Sequence, residues 1–419
     1  MCVFACDKII KMNNNQSIQR LVDDAWRRGG GTVKIPAGEY QMRDALHLRD
    51  NVRVVGEPGT ILQKVPSVRS ALSCVCGYGH YEFSVAEPEK FSIGMGVLIA
   101  DNNAGGFYTT QTTITAQHGK YFYIDRPFAH DYNPTLGGCV TALHSLIDAH
   151  GVHNASVENI ILDGNWPAET NNLNGCRGGG GFLLESHGVT IENIEVRHFH
   201  GDAISFQQCT DVTISGCFAH HNSGGGLHPG SGSVRYFLQN NRIEDNGGNG
   251  IFYCLRTTHS LCENNTIARN SLDGISMGER DTDHILKNNS ITENSGAGIR
   301  LRAPVIQSGD RLWIEGNELR GNNKDGKSAE FAVAHDLHDI CFARNEIKTD
   351  DGKAIEIDAN CSNLFLADNN INGRLQKPED VTGDISAVAF SKPEKFPEVG
   401  PAAADADSAR HLNRELRAL

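Results

Sequence analysis

Asn241-Arg-Ile-Glu-Asp-Asn-Gly-Gly-Asn-Gly-Ile251 returns as Asn265-Thr-Ile-Ala-Arg-Asn-Ser-Leu-Asp-Gly-Ile275 and again as Asn289-Ser-Ile-Thr-Glu-Asn-Ser-Gly-Ala-Gly-Ile299. The step is 24 residues each time, and Gly226-Leu227 starts the glycine–aliphatic column one step earlier. A fixed period of this length marks a solenoid, in which each unit buries its apolar side against the next. Within a unit the apolar residues alternate: Ile275 and Met277 face one way and Ser276 the other, between clusters of Gly, Asn and Asp. That is the grammar of short strands and turns. No unit holds an amphipathic stretch long enough for a helix, which excludes helical repeats, and the pattern of leucine-rich repeats is absent. The expected fold is all-β: a right-handed parallel β-helix with coils of about 24 residues.

The column continues through Leu319, Ile347 and Ile371, each two residues after Asn317, Asn345 and Asn369. The steps are then 28, 28 and 24, so two coils carry four extra residues in a loop. Upstream, Ile204, Val189-Thr-Ile191 and Val157-Glu-Asn-Ile160 read as earlier coils, placing the β-helix core at 147–390. The repeated Asn residues are expected at tight bends, where Asn tolerates left-handed backbone, with their amides bonded to one another along the axis.

Outside the repeat, Ile18, Leu21, Val22 and Ala25 make an apolar stripe over 16–28 that Gly29-Gly-Gly31 stops. A solenoid needs its first coil covered, so residues 1–66 read as a capping helix and the first coils. Residues 67–146 break the period. Tyr81–Val85, Gly96–Ile99, Thr112–Ile114 and Tyr121–Ile124 alternate like hairpin strands of an inserted β subdomain, whose aromatics would form its own core or wall one end of a cleft. Residues 391–419, with helical spacing from Ser408 to Leu419, read as a tail or cap.

Composition bounds the function. The chain has 419 residues and a net charge of −13, which argues against nucleic acid as the partner. No apolar run spans a membrane. The start shows no signal-peptide apolar region, which points to the cytoplasm for the sequence as written. Of the 12 cysteines, Cys209, Cys217, Cys254 and Cys262 fall in or beside strands, as reduced, buried thiols do.

The segments Ile18-Gln-Arg-Leu-Val-Asp-Asp-Ala25, Gly29-Gly-Gly-Thr-Val33, Ile35-Pro-Ala-Gly-Glu-Tyr40 and Val52-Arg-Val-Val-Gly56 resemble the N-terminal signature of the pectin-lyase-like superfamily. That group includes pectate lyases, polygalacturonase-like glycosidases, alginate lyases, mannuronan C5-epimerases and phage tailspike enzymes. The resemblance implies a parallel β-helix and a carbohydrate substrate, but one fold hosts several chemistries. The Asn-Thr-Asp, Gly-His-Gly and Arg-Ile-Lys set of polygalacturonases is absent. So is the Asp-Pro-His motif of the epimerases, whose nearest counterpart is Gly226-Leu-His-Pro-Gly-Ser-Gly-Ser233.

Residues one period apart lie on neighbouring coils about 4.8 Å apart. The outward column after the first apolar residue is Ser205, His228, Phe252, Ser276 and Arg300. Further on, Arg256 falls near Arg280 and His259 over Asp283, while Asp202, Asn249 and Asp273 precede the strand in one column. Arginine suits bidentate carboxylate recognition, and histidine titrates near working pH. The candidate catalytic residues are His228, Arg256, His259, Arg280, Asp202, Asp273, Glu279 and Asp283. Arg300, Arg302, Gln208, Tyr253 and His284 are candidates for substrate binding.

Two mechanisms fit. In one, arginines bind a uronate carboxylate while His228, His259 or Tyr253 moves the C5 proton, giving β-elimination or epimerisation. Tyr253 is the weaker base, since its column holds Phe206 and Met277. In the other, a carboxylate pair performs hydrolysis. A non-catalytic carbohydrate-binding or structural β-helix would leave a similar trace. No cofactor is expected; calcium is conceivable at Glu279, Asp281 and Asp283, but without a recognised ligand spacing. The expected partner is a poly- or oligosaccharide, with no nucleic acid and no membrane.

Overall fold

The computed structural model describes residues 15–166, 175–307, 309–350 and 352–403. The helical spacing of 408–419 lies outside them. The described residues wind into a parallel β-helix of three sheets, each coil contributing one short strand to each sheet. In one coil the first sheet takes Thr258–Glu263, the second Thr266–Ala268 and the third Ile275–Met277. The next coil begins with Thr282–Lys287, which pairs in parallel with Thr258–Glu263 at a shift of 24 residues.

The inward column is the one the sequence spells out. Ile243, Ile267, Ile291, Leu319 and Ile347 are all fully buried in one continuous core. The glycine ruler has a steric cause. A Cβ on Gly250 would come within 2.4 Å of Ile267 and 2.6 Å of the Gly274 carbonyl, and Gly226 and Gly274 meet the same obstacle. Isoleucine in the second sheet and glycine at the entry to the third are thus one packing unit, repeated. The four-residue insertions fall in 302–309 and 321–330, between sheets, where they leave strand pairing intact.

Two amide ladders run up the interior. Asn241, Asn265, Asn289, Asn317, Asn345 and Asn369 form one, and Asn222, Asn246, Asn270, Asn294 and Asn322 the other. Asn265 Nδ2 donates to Asn289 Oδ1 at 2.9 Å and to the Leu238 carbonyl at 2.8 Å. The first ladder ends on Gln376 and the second on the carboxylate of Glu330. The left-handed residue is not the ladder Asn, as the sequence suggested, but the one before it: Asn240, Asn264 and Asn288 in one ladder, Asp245, Arg269 and Glu293 in the other. The bend accepts several side chains; the amide one residue later is what the interior requires.

Asn265→Ala removes an amide that accepts from Asn241 and donates to two carbonyls. Each buried group left unpaired costs about 1–3 kcal/mol. The variant is expected to melt well below the wild type while keeping activity wherever it folds; unchanged thermal stability would refute the structural role.

At the N-terminal end the helix Asn15–Arg27 lays Ile18, Val22 and Ala25 on the first coil. Residues 69–141 contribute a six-stranded antiparallel sheet beside the first coils. Most of its aromatics are its own core, with Phe83 stacked on Phe122 at 5.3 Å and Phe128 and Tyr132 buried. The first coil, the second coil and this subdomain meet at a buried ionic knot. His47 bonds Asp148 at 2.9 Å and Asp44 at 3.3 Å; Arg126 bonds Asp148 at 2.8 Å, and Thr113 donates to Asp44 at 2.7 Å. At the other end, residues 391–402 run over the outside of the first sheet. Phe396 packs on Trp313, and Gly400 N–H donates to the Asp283 carbonyl.

Candidate active site on the third sheet

The outer face of the third sheet carries the column Ser205, His228, Phe252, Ser276 and Arg300 expected from the period. His228 lies in a crevice of this face. Its Nδ1 bonds Asp202 Oδ2 at 2.6 Å, and the other Asp202 oxygen accepts the Gly225 amide at 2.7 Å. The Phe252 ring stands edge-on to the imidazole at 5.2 Å. Nε2 is shielded from solvent and has no well-aligned hydrogen bond, although the Cys254 thiol lies close enough to favour the imidazolium. Burial lowers the His228 pKa, but the bond to Asp202 and the nearby Cys254 outweigh it and lift the value to about 9.

Arg302, three coils above His228, reaches back to the coil of Phe252. It lies over the Phe252 ring at 4.5 Å and donates to Ser276 Oγ at 2.9 Å and the Tyr253 carbonyl at 2.7 Å. Arg300 grips both oxygens of Asp273, at 3.0 and 2.9 Å. The two arginines line a hollow of about 520 Å³ with Lys327, Glu356 and Asp358, and Lys327 comes from one of the inserted loops.

A larger cleft of about 810 Å³ lies between the subdomain and the first coils of the third sheet. Gln208, Arg126, Arg177 and His150 line its polar side, and Tyr78 and Phe107 its apolar side. These two aromatics are the part of the subdomain that does wall a cleft.

The sequence-derived cluster divides into separate places. Asp202, His228, Asp273, Arg300 and Arg302 share the third sheet's face, and Gln208 lines the cleft. Arg256 and Arg280 stand in the turns between the third and first sheets, both with left-handed backbone. Arg280 pairs with Glu279 at 2.9 Å, which relieves the repulsion between the two arginines. Glu279 in turn accepts the amides of Val305 at 2.5 Å and Ile306 at 3.0 Å, and so anchors the first inserted loop. His259 and Asp283 belong to the first sheet, not the third. There Asp283 binds Arg311 at 2.7 and 2.8 Å within a ladder that also holds the Asp211–Arg235 pair. This part of the cluster is an outward ladder of ion pairs beside the C-terminal segment.

Tyr253 and His284 require correction. Both are 0 % exposed and face each other inside the solenoid at 4.9 Å, with no route to a substrate. Burial drives the His284 pKa down to about 3 and the Tyr253 pKa well up. Strand parity is the reason: Ile251 points in, Phe252 out and Tyr253 in again. The same parity turns Cys254 outward beside His228, so it is a half-buried thiol at the crevice and not a core residue like Cys209, Cys217 and Cys262. All ten described cysteines are free thiols. Arg177, Arg126 and His150 were missed because the insertion and the first coils lie outside the strict period.

Among the described residues no three His, Cys, Asp or Glu side chains converge as a metal site. Asp281, fully buried, accepts from the Thr257 amide and hydroxyl and the Gly278 amide.

The three-sheet coil defines a parallel β-helix protein of pectin-lyase-like fold. The family described as the right handed beta helix region matches residues 150–303 and 231–377, together more than half of the chain, and the protein belongs to it. No curated protein matches the chain in sequence. Among solved structures it is similar to the A-module of the mannuronan C-5 epimerase AlgE4 from Azotobacter vinelandii, with 17 % identity, TM-score 0.53, and coverage of 90 % of this chain and 96 % of that one. The A-module of AlgE6 from the same organism gives 18 % identity, TM-score 0.52, and coverage of 91 % and 96 %. PfbA, a surface adhesin of Streptococcus pneumoniae, gives 14 % identity, TM-score 0.52, and coverage of 85 % and 81 %. These likenesses share the fold.

Proposed function

We propose that the protein acts on a uronate-containing poly- or oligosaccharide laid along the outer face of the third sheet, by β-elimination or C5 epimerisation. The carrying observation is the 2.6 Å Asp202–His228 pair set in a crevice of that face. Asp202 fixes the ring and stabilises its charged form, and Nε2, unbonded but covered beside Phe252 and Cys254, reaches the sugar only when those side chains shift. Arg302, 3.8 Å from the buried Asp281, supplies positive charge for the uronate carboxylate, while Arg300 is held by Asp273. Neutralising that carboxylate makes the C5 proton easier to remove, because negative charge builds on it in the transition state. His228 takes the C5 proton. In elimination the C4–O4 bond then breaks, and the leaving oxygen accepts a proton from the imidazolium. In epimerisation water delivers a proton to C5 from the opposite face, and the imidazolium releases its own proton to solvent. The structural likeness to epimerase modules supports the reading.

Hydrolysis by a carboxylate pair is less well supported, because three of the candidate acids are bonded to basic side chains, and Asp281, whose pKa burial raises, is 0 % exposed inside the solenoid. Asp202 is held by His228, Asp273 by Arg300, and Asp283 by Arg311. Burial works to raise Glu279, but the loop amides outweigh it and bring it below the usual range. A hydrolase's general acid must keep its proton. The adhesin likeness leaves binding without turnover as the other reading.

A panel of acidic and neutral glycans, read for unsaturated-uronate absorbance, new reducing ends and C5 proton exchange into heavy water, tests the proposal. Absorbance or exchange supports it; reducing ends alone would establish hydrolysis, and silence on every acidic glycan would leave a binding protein.

The pH profile gives a second check. A base must be unprotonated, so kcat/KM should climb about tenfold per pH unit to a plateau near 9. In Asp202→Asn the plateau should begin near the ordinary histidine value, about 6.5. A profile flat across this range would exclude His228 as the base.

A further inference from the structure

The cleft between the subdomain and the first coils holds a cation, Arg177, that no carboxylate pairs with among the described residues. Arg177 sits in the short turn Cys176–Gly178, and its carbonyl is clamped by Gln111 of the subdomain at 3.1 Å and by Ser145 at 3.2 Å. Its guanidinium lies over the Phe182 ring at 5.1 Å and the Phe107 ring at 5.8 Å. Nε is shielded from solvent without a hydrogen-bond partner, and among the described residues no carboxylate pairs with this side chain. Burial pulls its pKa down and outweighs the opposing pull of Cys176, Asp148 and Tyr132. The neighbouring Arg126 is different, because Asp148 neutralises it at 2.8 Å. Glu185 at the rim faces His150 at 3.9 Å.

An uncompensated buried charge is costly unless something pairs with it. The Arg177 side chain lines the cleft beside these two rings, and a planar guanidinium can take a carboxylate through two parallel bonds. Phe107 and Tyr78, both largely exposed at the mouth, offer apolar faces to the C–H side of a sugar ring. The cleft is also next to the crevice: Cys176, adjacent to Arg177 in the chain, lies close enough to Asp202 and Cys254 for their charges to act on its thiol.

We infer that this cleft is an anionic-sugar subsite, in which Arg177 binds the carboxylate of a uronate neighbouring the one that reacts at His228. The inference rests on the acidic-glycan reading above and adds where the chain is recognised. Arg177 is a binding residue here, and the subdomain is the part of the molecule that selects charge.

The test is calorimetric titration of the full-length protein with oligouronates of defined length and with the same oligomers after carboxyl reduction. Arg177→Met keeps the stem over Phe182 and removes the charge. It should weaken oligouronate binding roughly 10–100-fold, as expected for loss of a charged hydrogen-bonded contact, and leave the binding of reduced oligomers unchanged. His228→Gln should bind oligouronates like the wild type. Unchanged oligouronate affinity in Arg177→Met overturns the subsite without touching the catalytic reading. Equal affinity of the wild type for reduced oligomers also overturns it, as does preference for inorganic phosphate over every oligouronate. Arg177-dependent binding with no turnover by the wild type would keep the subsite and remove the catalytic reading instead. Arg177→Lys, which retains charge but not the planar fork, should recover only part of the loss; full loss of folding in Arg177→Met would be recognised from its melting curve, and the Lys variant then carries the comparison.

Discussion

Replacing His228 with glutamine is expected to lower turnover on the true substrate by roughly 10²–10⁴-fold, the usual contribution of a positioned acid–base group. Glutamine preserves a polar side chain beside Asp202 and Phe252 but cannot carry a proton between C5 and solvent. The change should appear in kcat, with KM little altered, because the imidazole acts on the reacting centre and the arginines hold the carboxylate. The melting temperature should stay near that of the wild type, since the crevice lies outside the solenoid core. A variant that turned over at the wild-type rate would remove the Asp202–His228 pair from the mechanism altogether.

The second large effect is on stability. His47→Ala would leave Asp44 and Asp148, each 5 % exposed, without the cation between them. Breaking a buried pair by removing one partner typically costs about 3–5 kcal/mol. Thr113 and Arg126 carry the knot into the inserted subdomain, so its docking should loosen first, seen as faster amide exchange in 110–128 than in the coils. The pH dependence has a definite sign. Burial lowers the His47 pKa, but Asp148 and Asp44 outweigh it and raise it to about 10. A cation whose folded pKa is raised gives its full stabilisation below the unfolded value, near 6.5, and loses it as pH rises through about 10. The stability gap between wild type and His47→Ala should therefore be widest at or below neutrality and narrow in alkali. Equal melting temperatures at pH 6 would refute this role.

The solenoid was readable because each coil obeys the same packing rule. Gly250 is glycine for the reason Gly274 is: the isoleucine of the following coil occupies the space. The amide ladders were readable too, but not the left-handed position. Asn264-Asn265 leaves the two asparagines indistinguishable; Arg269-Asn270 and Glu293-Asn294 separate them, because only the second residue is held constant. The site was readable by column and less so by face. His259 and Asp283 follow the turn by only a few residues, yet that turn carries them from the third sheet to the first. Tyr253 and His284 are polar, which drew them toward the surface, whereas alternation from Ile251 and toward Leu286 places both inside. Arg177 and the His47 knot carry no periodic signal. Their partners lie 66 and 101 residues away in the chain, across the insertion or a whole coil, and only the fold brings them together.

The ladders give the molecule an electrical sense as well as a scaffold. From Asn222 through Asn322, each amide of the column points its N–H toward the next coil, so the individual dipoles add. Hydrogen bonds aligned in this way polarise one another. The positive end of the column meets the Glu330 carboxylate, which receives the last amide at 2.6 Å and is itself 1 % exposed. An acidic side chain stands in the same relation to the N-terminus of an α-helix. Copying or deleting an interior coil would preserve this polarity, whereas turning one amide over would set donor against donor on one side and acceptor against acceptor on the other. The direction of the solenoid is thus written into its interior independently of the chain's own N-to-C sense, and Glu330 is the counter-charge that marks where it ends.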